Sequence, residues 1–454
     1  MTWLCCFIFA ISAFLGKIIS GKWINILTLF AGFYTVTIFF AGFNFFGMKD
    51  GTARSCMVMI VGIIFFTLGY ILITVTLKYG KGSKARQITT SLEKKNTDYV
   101  IRKTAFYIIL IFVSAYTLYR AYLTIQLLNN GWSYIQIRTI FFSADEMSTD
   151  MSKYGRSTLG LYLHLPLLYS LIILATIAIF KDIGIKKRKT FIYIVLANIA
   201  LYAFSNGGRE VVVYAMALTI ISFFTLRKKQ IRKNRVSFFK IRLSKNKFYL
   251  FAAGVLACVL VYLLSSGRSQ VGEAAGGYAL RSVYIYFCGY FPHLGVRLEN
   301  ISPEDFTYGN SFLLGLIKPF VAILRDILYM PLPDAYARAD TMTSMLQNRV
   351  DIGGGMAMNA YVSPFYYFYI DFGFYSVIYE SLLYGFFCGY VETNYKTRPN
   401  TLNLFIYYFA LLGVLSSVVR WIFVHPSMAM IVYFIPLIFM KKKNINQSVA
   451  VGNW

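Results

Sequence analysis

Charged residues are scarce in this sequence: they make up 14% of its 454 residues, whereas hydrophobic residues make up 57%. A soluble globular chain has roughly a quarter charged residues. The hydrophobic residues also fall in long blocks, many close to the ~20 residues that cross a bilayer as a helix. These features exclude a soluble enzyme, a coiled coil, a disordered chain and a β-barrel porin. They predict an all-α polytopic membrane protein.

Signatures of metal and cofactor chemistry are also missing. The six cysteines have neither metal-ligand spacing nor a disulfide framework, and are best interpreted as small buried apolar residues. The sequence has no Walker loop, dinucleotide fingerprint, HExxH motif or nucleophile elbow, and no D-x-D pair in the segments assigned below to the outside. We therefore expect neither a metal nor a cofactor.

The charge that is present is strongly basic, with a formal net charge of +26. Lysine and arginine bunch between the apolar blocks, as the positive-inside rule of membrane topology expects, so we expect no nucleic-acid partner. The apolar blocks predict about eleven spans. These lie near residues 2–16, 23–46, 55–77, 104–128, 158–180, 190–205, 211–226, 248–265, 372–391, 400–419 and 426–440.

Alternate connections between these spans differ in charge. One set, which includes the tail from residue 441, holds 30 of the 45 lysine and arginine residues and is predicted to be cytoplasmic. The N-terminus is then outside and the C-terminus inside. The chain divides into spans 1–8 (1–265), a large external loop (266–371), and spans 9–11 with a basic cytoplasmic tail (372–454).

The outer segments favour arginine, which supplies twelve of the fifteen basic residues outside the cytoplasmic set. Arginine binds phosphate groups through two parallel hydrogen bonds. A charge that only sets membrane topology can be either lysine or arginine. Segments 281–296 and 311–330 of the external loop mix aromatic and aliphatic residues with isolated charges. They predict interfacial or re-entrant helices against the outer leaflet, or a lid on the bundle.

Candidate site residues lie at the predicted outer ends of the spans. The tight turn before span seven leads to Arg209 and Glu210, an ionisable pair near membrane depth. A glycine-rich stretch after span eight carries Arg268, Glu273, Tyr278 and Arg281, and such backbone flanked by arginine suits an anion. Glu273 is the best-placed carboxylate for a general base.

Further candidates are more dispersed. Asp371 opens span nine, as a helix N-cap or as a base. His425 follows Arg420 between spans ten and eleven and could deprotonate a hydroxyl near neutral pH. Arg120 lies among tyrosines in the outer half of span four. The less specific candidates are two loop arginines, Arg138 and Arg156, and two histidines interpreted as structural, His164 and His293.

The chain resembles the Wzy-type O-antigen polymerases, which join oligosaccharide repeat units in bacteria. The resemblance covers roughly residues 100–440 and depends on span count, a late external loop and several short motifs. Those motifs are Gly208-Arg209, Gly267-Arg268, Thr307-Tyr308-Gly309 and the stretch from Phe365 to Gly373.

This resemblance implies a metal-independent GT-C glycosyltransferase at the outer face of the bacterial inner membrane. Its substrates would be undecaprenyl-pyrophosphate-linked oligosaccharides, and its partners membrane lipids and a chain-length regulator protein. The pyrophosphate would then be bound by Arg209, Arg268, Arg281 and Arg420. Further substrate contacts would be made by Arg120, Glu210, Tyr278 and Tyr308. Glu273 is the first choice as base, before His425 and Asp371.

Other functions suit the same features. The related O-antigen ligases look alike at this level, and a flippase or anion exporter would use a cationic cavity equally well. The chain shows no internal repeat of the kind that many transporters carry. A membrane acyltransferase would need a histidine-centred catalytic motif, and His425 alone does not make such a motif.

Overall fold

A computed structural model describes residues 1–79, 99–142, 157–206, 208–226 and 275–441. Nearly all of its regular structure is helical. The helices are α1 Thr2–Ser20, α2 Ile26–Ala41, α3 Ala53–Tyr79, α4 Lys103–Asn129, α5 Tyr134–Phe142, α6 Leu165–Phe180, α7 Arg188–Asn206, α8 Glu210–Leu226, α9 Ala275–Cys288, α10 Tyr290–Glu299, α11 Leu314–Asp326, α12 Asp334–Met345, α13 Pro364–Phe372, α14 Phe374–Thr397, α15 Thr401–Ser416, α16 Pro426–Ala429 and α17 Ile431–Ile438. A π-helical turn, Gly160–His164, leads directly into α6.

Short strands and turns complete the described part of the chain. Strands β1 (Tyr99–Ile101) and β4 (Phe439–Lys441) pair antiparallel, as do β2 (Val350–Asp351) and β3 (Ala357–Met358). Two single 3-10 turns are Phe45–Gly47 and Pro303–Asp305.

Four helices are long and apolar enough to cross a membrane, which supports a membrane-embedded, all-α protein. They are Thr2–Ser20, Ala53–Lys78, Lys103–Asn129 and Gly160–Phe180. Shorter apolar helices at 26–41, 210–226, 401–416 and 426–438 fall on four more of the predicted spans. Helices also cover the predicted spans at 190–205 and 372–391, whereas the predicted span at 248–265 lies outside the described residues.

Local sequence sets several helix ends. The Asn25 side chain accepts a hydrogen bond from the Thr28 N–H at 2.8 Å and caps the start of α2. Asn400 caps α15 in the same way through the Asn403 N–H, also at 2.8 Å. Gly21, at φ 67°, ends α1 in the left-handed conformation that glycine adopts without strain.

Gly373 marks the start of predicted span nine. Helix α13 ends at Phe372 and α14 begins at Phe374, close to the expected residue 372. The backbone of Gly373 has φ 67° and ψ −139°, a region open almost only to glycine. Asp371 therefore lies in the last turn of α13 and is not the N-cap of the following helix.

Some loops that the charge count assigns to one side of the membrane contact each other. Strands β1 and β4 pair, and Lys181 Nζ donates to the Pro399 carbonyl oxygen at 3.1 Å. Among the loops assigned to the opposite side, Met48 bridges to Gly353.

The described part of the external segment contains helices α9 to α12 and most of α13, and α10 packs inside the protein. Phe291 and Leu294 of α10 are fully buried, and Phe291 closes on Gly51 just before α3. The α10 part of segment 281–296 therefore packs as a lid on the bundle, which is one of the two arrangements expected for that segment. Helix α11 keeps an exposed apolar face that includes Phe320 and Ile323.

Candidate functional site

Glu210 and Arg420 form an ion pair where α8 begins. The Arg420 guanidinium donates to Glu210 Oε2 at 3.0 Å, across 210 residues of sequence. Both side chains are partly exposed, at 34% and 23%, so the pair borders an accessible surface. A carboxylate in the first turn also interacts favourably with the helix dipole. The fold therefore brings together two of the predicted site residues.

Arg209 joins this pair through two tyrosines. Its guanidinium lies over the Tyr286 ring, 5.3 Å from the centroid, and Tyr286 meets Tyr361 edge-on at 5.2 Å. Burial, together with Tyr286 and the charge of Glu210, raises the pKa of the Tyr361 hydroxyl, which therefore remains a hydrogen-bond donor. We call Arg209, Glu210, Tyr286, Tyr361 and Arg420 the outer cluster.

A narrow cleft beside the outer cluster contains Arg120. The Arg120 side chain is buried in α4 and lies over the Phe141 ring at 4.8 Å. The cleft is also lined by Tyr116, His164, Tyr202 and Asn206. Asn206 accepts a hydrogen bond from the Gly208 N–H, and so links the cleft to the turn before Arg209. Arg120 lines this cleft.

His164 is part of the π-helical turn and lies at the bottom of this cleft. Its Nε2 is 2.9 Å from the Thr117 hydroxyl, and its ring packs on Tyr116 with centroids 4.5 Å apart. Within the described residues its Nδ1 has no hydrogen-bond partner. Single π-helical turns recur at functional sites in helices.

The other predicted site residues have structural partners. Arg281 donates to the Gly354 carbonyl oxygen at 3.0 Å, in the β2–β3 turn. His425 caps α16, with Nδ1 2.7 Å from the Ser427 hydroxyl. Tyr308 packs on Phe372 edge-on, with centroids 5.1 Å apart. None of these contacts excludes a role in binding, but each explains the residue without one.

Asp371 holds a turn of the external segment onto the bundle. Its carboxylate accepts hydrogen bonds from the Thr307 hydroxyl and from the N–H groups of Ser311 and Phe312, the last at 3.0 Å. The residue is fully buried. A carboxylate with three donors is poorly placed to accept a further proton from a substrate.

Arg156, Arg268 and Glu273 lie outside the described residues, as does the side chain of Tyr278. Within the described ranges, no group of three or more His, Cys, Asp or Glu side chains could hold a metal ion.

His293 links the outer cluster to α10. Arg297 Nε donates to His293 Nε2 at 3.0 Å, so Nδ1 carries the proton and donates to the Tyr361 carbonyl oxygen at 2.8 Å. Burial lowers the pKa of His293 to about 4, the Arg297 charge adds to the shift, and the bond to Tyr361 opposes it. The histidine was expected to be structural, and its contacts agree.

Acidification should therefore destabilise this region. Because the folded pKa lies below the unfolded value of about 6.5, stability is complete above pH ~6.5 and is lost as pH falls towards ~4. The full loss is about 3 kcal/mol. Thermal unfolding in detergent, followed across that pH range, should show a shallower pH dependence for His293→Gln than for the wild type. Equal pH dependence of the two proteins would contradict this assignment.

Sequence reasoning missed the tyrosines that complete the site. Tyr286 lies in a segment that was predicted only as an interfacial helix or a lid, and Tyr169 and Tyr214, electrostatic neighbours of Arg420, lie inside predicted spans. With 36 tyrosines in the chain, composition alone could not select these. Ala360, at φ 63°, marks the turn that presents Tyr361.

The fold and site together define a helical membrane protein whose outer cluster combines arginine, a carboxylate and tyrosine. The chain matches no protein-family model, no curated protein and no solved structure.

Proposed function

We propose that this protein polymerises lipid-linked oligosaccharide repeat units at the outer face of the bacterial inner membrane. In this proposal the chain crosses the membrane eleven times in a GT-C arrangement, with its N-terminus outside and its C-terminus in the cytoplasm. One observation carries the proposal: Arg209, Glu210 and Arg420 meet among tyrosines at one end of a helical bundle.

The reaction requires charge stabilisation. The bond between the anomeric carbon of the growing glycan and its lipid pyrophosphate breaks, and both electrons go to the pyrophosphate oxygen. A hydroxyl of the incoming repeat unit forms the new bond to that carbon and gives its proton to a base. Arginines beside the departing pyrophosphate lower the barrier, because they stabilise negative charge as it develops.

The outer cluster supplies groups suited to these roles. Arg420 is held by Glu210, and Arg209 by the Tyr286 ring, so both guanidinium groups have fixed positions next to a partly exposed surface. Tyr286 and Tyr361 offer rings for packing against sugar faces, and the Tyr361 hydroxyl remains a donor. Arg120 in the adjacent cleft would bind a further anionic or polar group of the same substrate.

The base remains a prediction from sequence. Glu273 is still the first choice, since Asp371 already accepts three hydrogen bonds and the Nδ1 of His425 caps a helix. Deprotonation of a sugar hydroxyl by a positioned carboxylate typically contributes about 10²- to 10⁴-fold in rate.

Surface polysaccharide from a deletion strain tests the proposal. On a gel, loss of polymerisation should turn a ladder into lipid core that carries a single repeat unit, and the intact gene should restore the ladder. Complete loss of capped core would instead indicate a ligase or a flippase. An unchanged ladder would reject all three functions.

Arginine variants test the site in the same strain. Arg209→Ala and Arg268→Ala should each remain in the membrane at normal level and stop chain elongation, because each removes a proposed pyrophosphate contact. Lys49→Ala is the matched control, since Lys49 is an outer-face cation in an exposed ion pair with Asp351 at 2.8 Å. Normal polymer length from both arginine variants would remove the site assignment.

A further inference from the structure

Glu380 is an acid buried in a helix that coincides with a predicted membrane span. It lies in α14 with 1% of its surface exposed, and both of its carboxyl oxygens are without a hydrogen-bond partner in the described part of the chain. A lone ionised carboxylate in such surroundings costs several kcal/mol, and inside membranes such residues are rare and usually functional. The site must therefore provide a proton or a counter-ion.

Glu392, three turns further along the same helix, is a buried carboxylate that has a counter-ion. It is equally buried at 2%, yet Oε1 pairs with Lys396 at 2.6 Å and Oε2 accepts from the Ile26 N–H at 2.7 Å. Among the described ion pairs none includes Glu380. The two glutamates thus have the same helix and the same burial but opposite surroundings.

The neighbour of Glu380 is another acid. The Asp371 carboxyl and the Tyr379 hydroxyl both lie within hydrogen-bonding reach of Glu380. Two ionised carboxylates cannot bond to each other, because neither has a hydrogen. Asp371 already accepts three hydrogen bonds, so its oxygens act as acceptors. One proton on Glu380 would satisfy both groups.

We propose that Glu380 and Asp371 form a proton-binding acid pair, in which a protonated Glu380 donates to an ionised Asp371. A proton fits the site better than a metal cation, since a cation of Na⁺ or Ca²⁺ type needs roughly six oxygen ligands and the Asp371 oxygens already have donors. Like charges in contact share one proton for the same reason in other carboxyl pairs.

A proton on Glu380 would stabilise the contact between the external segment and the bundle. The three donors to Asp371 all belong to the turn 307–312. Phe312 of that turn stacks on Trp421, with ring centroids 5.3 Å apart, and Trp421 Nε1 donates to the Phe312 carbonyl oxygen at 2.7 Å. Trp421 follows Arg420 directly. A second negative charge on Glu380 would loosen this anchor next to the outer cluster.

Infrared spectroscopy of the purified full-length protein in lipid nanodiscs tests the pair directly. A protonated carboxylic acid has a C=O stretch well separated from that of carboxylates and shifted by exchange into D₂O. We expect this band at neutral pH in the wild type, its loss in Glu380→Gln, and its shift in Asp371→Asn, where the acceptor changes. Glu392→Gln is the matched control and should keep the band, because Glu392 pairs with Lys396 and is not part of the acid pair.

Isotope labelling separates the outcomes even where a variant does not fold. In the wild type, ¹³C-carboxyl glutamate should shift the band, whereas ¹³C-carboxyl aspartate should leave it unchanged. A wild-type spectrum without the band, a band that moves only with labelled aspartate, or a band that survives in Glu380→Gln would each overturn the proposal. None of these measurements depends on the enzymatic activity.

Discussion

Replacing Arg420 by alanine is expected to slow chain elongation by at least about 100-fold, the effect of losing one preorganised donor from a transition state that gains negative charge. The variant removes both a proposed pyrophosphate contact and the partner of Glu210, which then faces the site as an unpaired negative charge. Polymer length on a gel and turnover of lipid-linked substrate in vesicles would both report the loss.

Lys318→Ala is the matched control for this prediction. Lys318 also forms an ion pair of the outer segment, with Asp340 at 2.6 Å, and its side chain is similarly exposed at 32%. A partly exposed pair of this kind contributes about 0–1 kcal/mol to stability, so the control should keep normal polymer length. Equal behaviour of the two variants would show that Arg420 acts only as a surface charge.

Arg420→Lys refines the test. It keeps the positive charge and the contact with Glu210, but it loses the planar fork that binds phosphate oxygens in two-point geometry. We expect membrane levels like those of the wild type and an intermediate elongation rate. Full activity would argue for a purely electrostatic role.

Gly385→Ala is expected to lower the free energy of unfolding by about 2 kcal/mol or more, the upper part of the range for overpacking. A Cβ at Gly385 would lie 2.1 Å from the Phe66 carbonyl oxygen and 2.9 Å from the Tyr70 nitrogen. Both are backbone atoms of α3, so only a shift of the whole helix could relieve the clash. Thermal unfolding in detergent, read as loss of monodisperse protein, measures the effect.

Gly32→Ala is the control for that substitution. Gly32 also lies within a helix, α2, but a Cβ there meets no atom within 4 Å. Its stability should be unchanged or slightly higher, since alanine is the better helix former. Gly69→Ala offers an independent check from the other helix, because its Cβ would lie 2.3 Å from the Leu382 carbonyl oxygen. Wild-type stability in Gly385→Ala and Gly69→Ala would contradict the close packing of α3 on α14.

The sequence by itself determined the helical class and where the described helices lie. Hydropathy and length are local properties, and satisfying backbone hydrogen bonds in an apolar environment leaves a helix as the simplest solution. Basic residues predict, through the loops that carry them, which loops share a side of the membrane. The sequence also placed the start of span nine within two residues of α14, but it did not predict the separate helix α13 that ends at Gly373.

Only the tertiary structure decided which polar residues meet. Glu210 and Arg420 are far apart in sequence, and Asp371 finds its donors about 60 residues earlier. Helices that are apolar on all sides carry no stripe that tells which face meets which neighbour, so packing selects the partners. Glu392 has Lys396 one turn further along the same helix, which the sequence already shows, whereas the acid beside Glu380 lies on α13, across the break at Gly373.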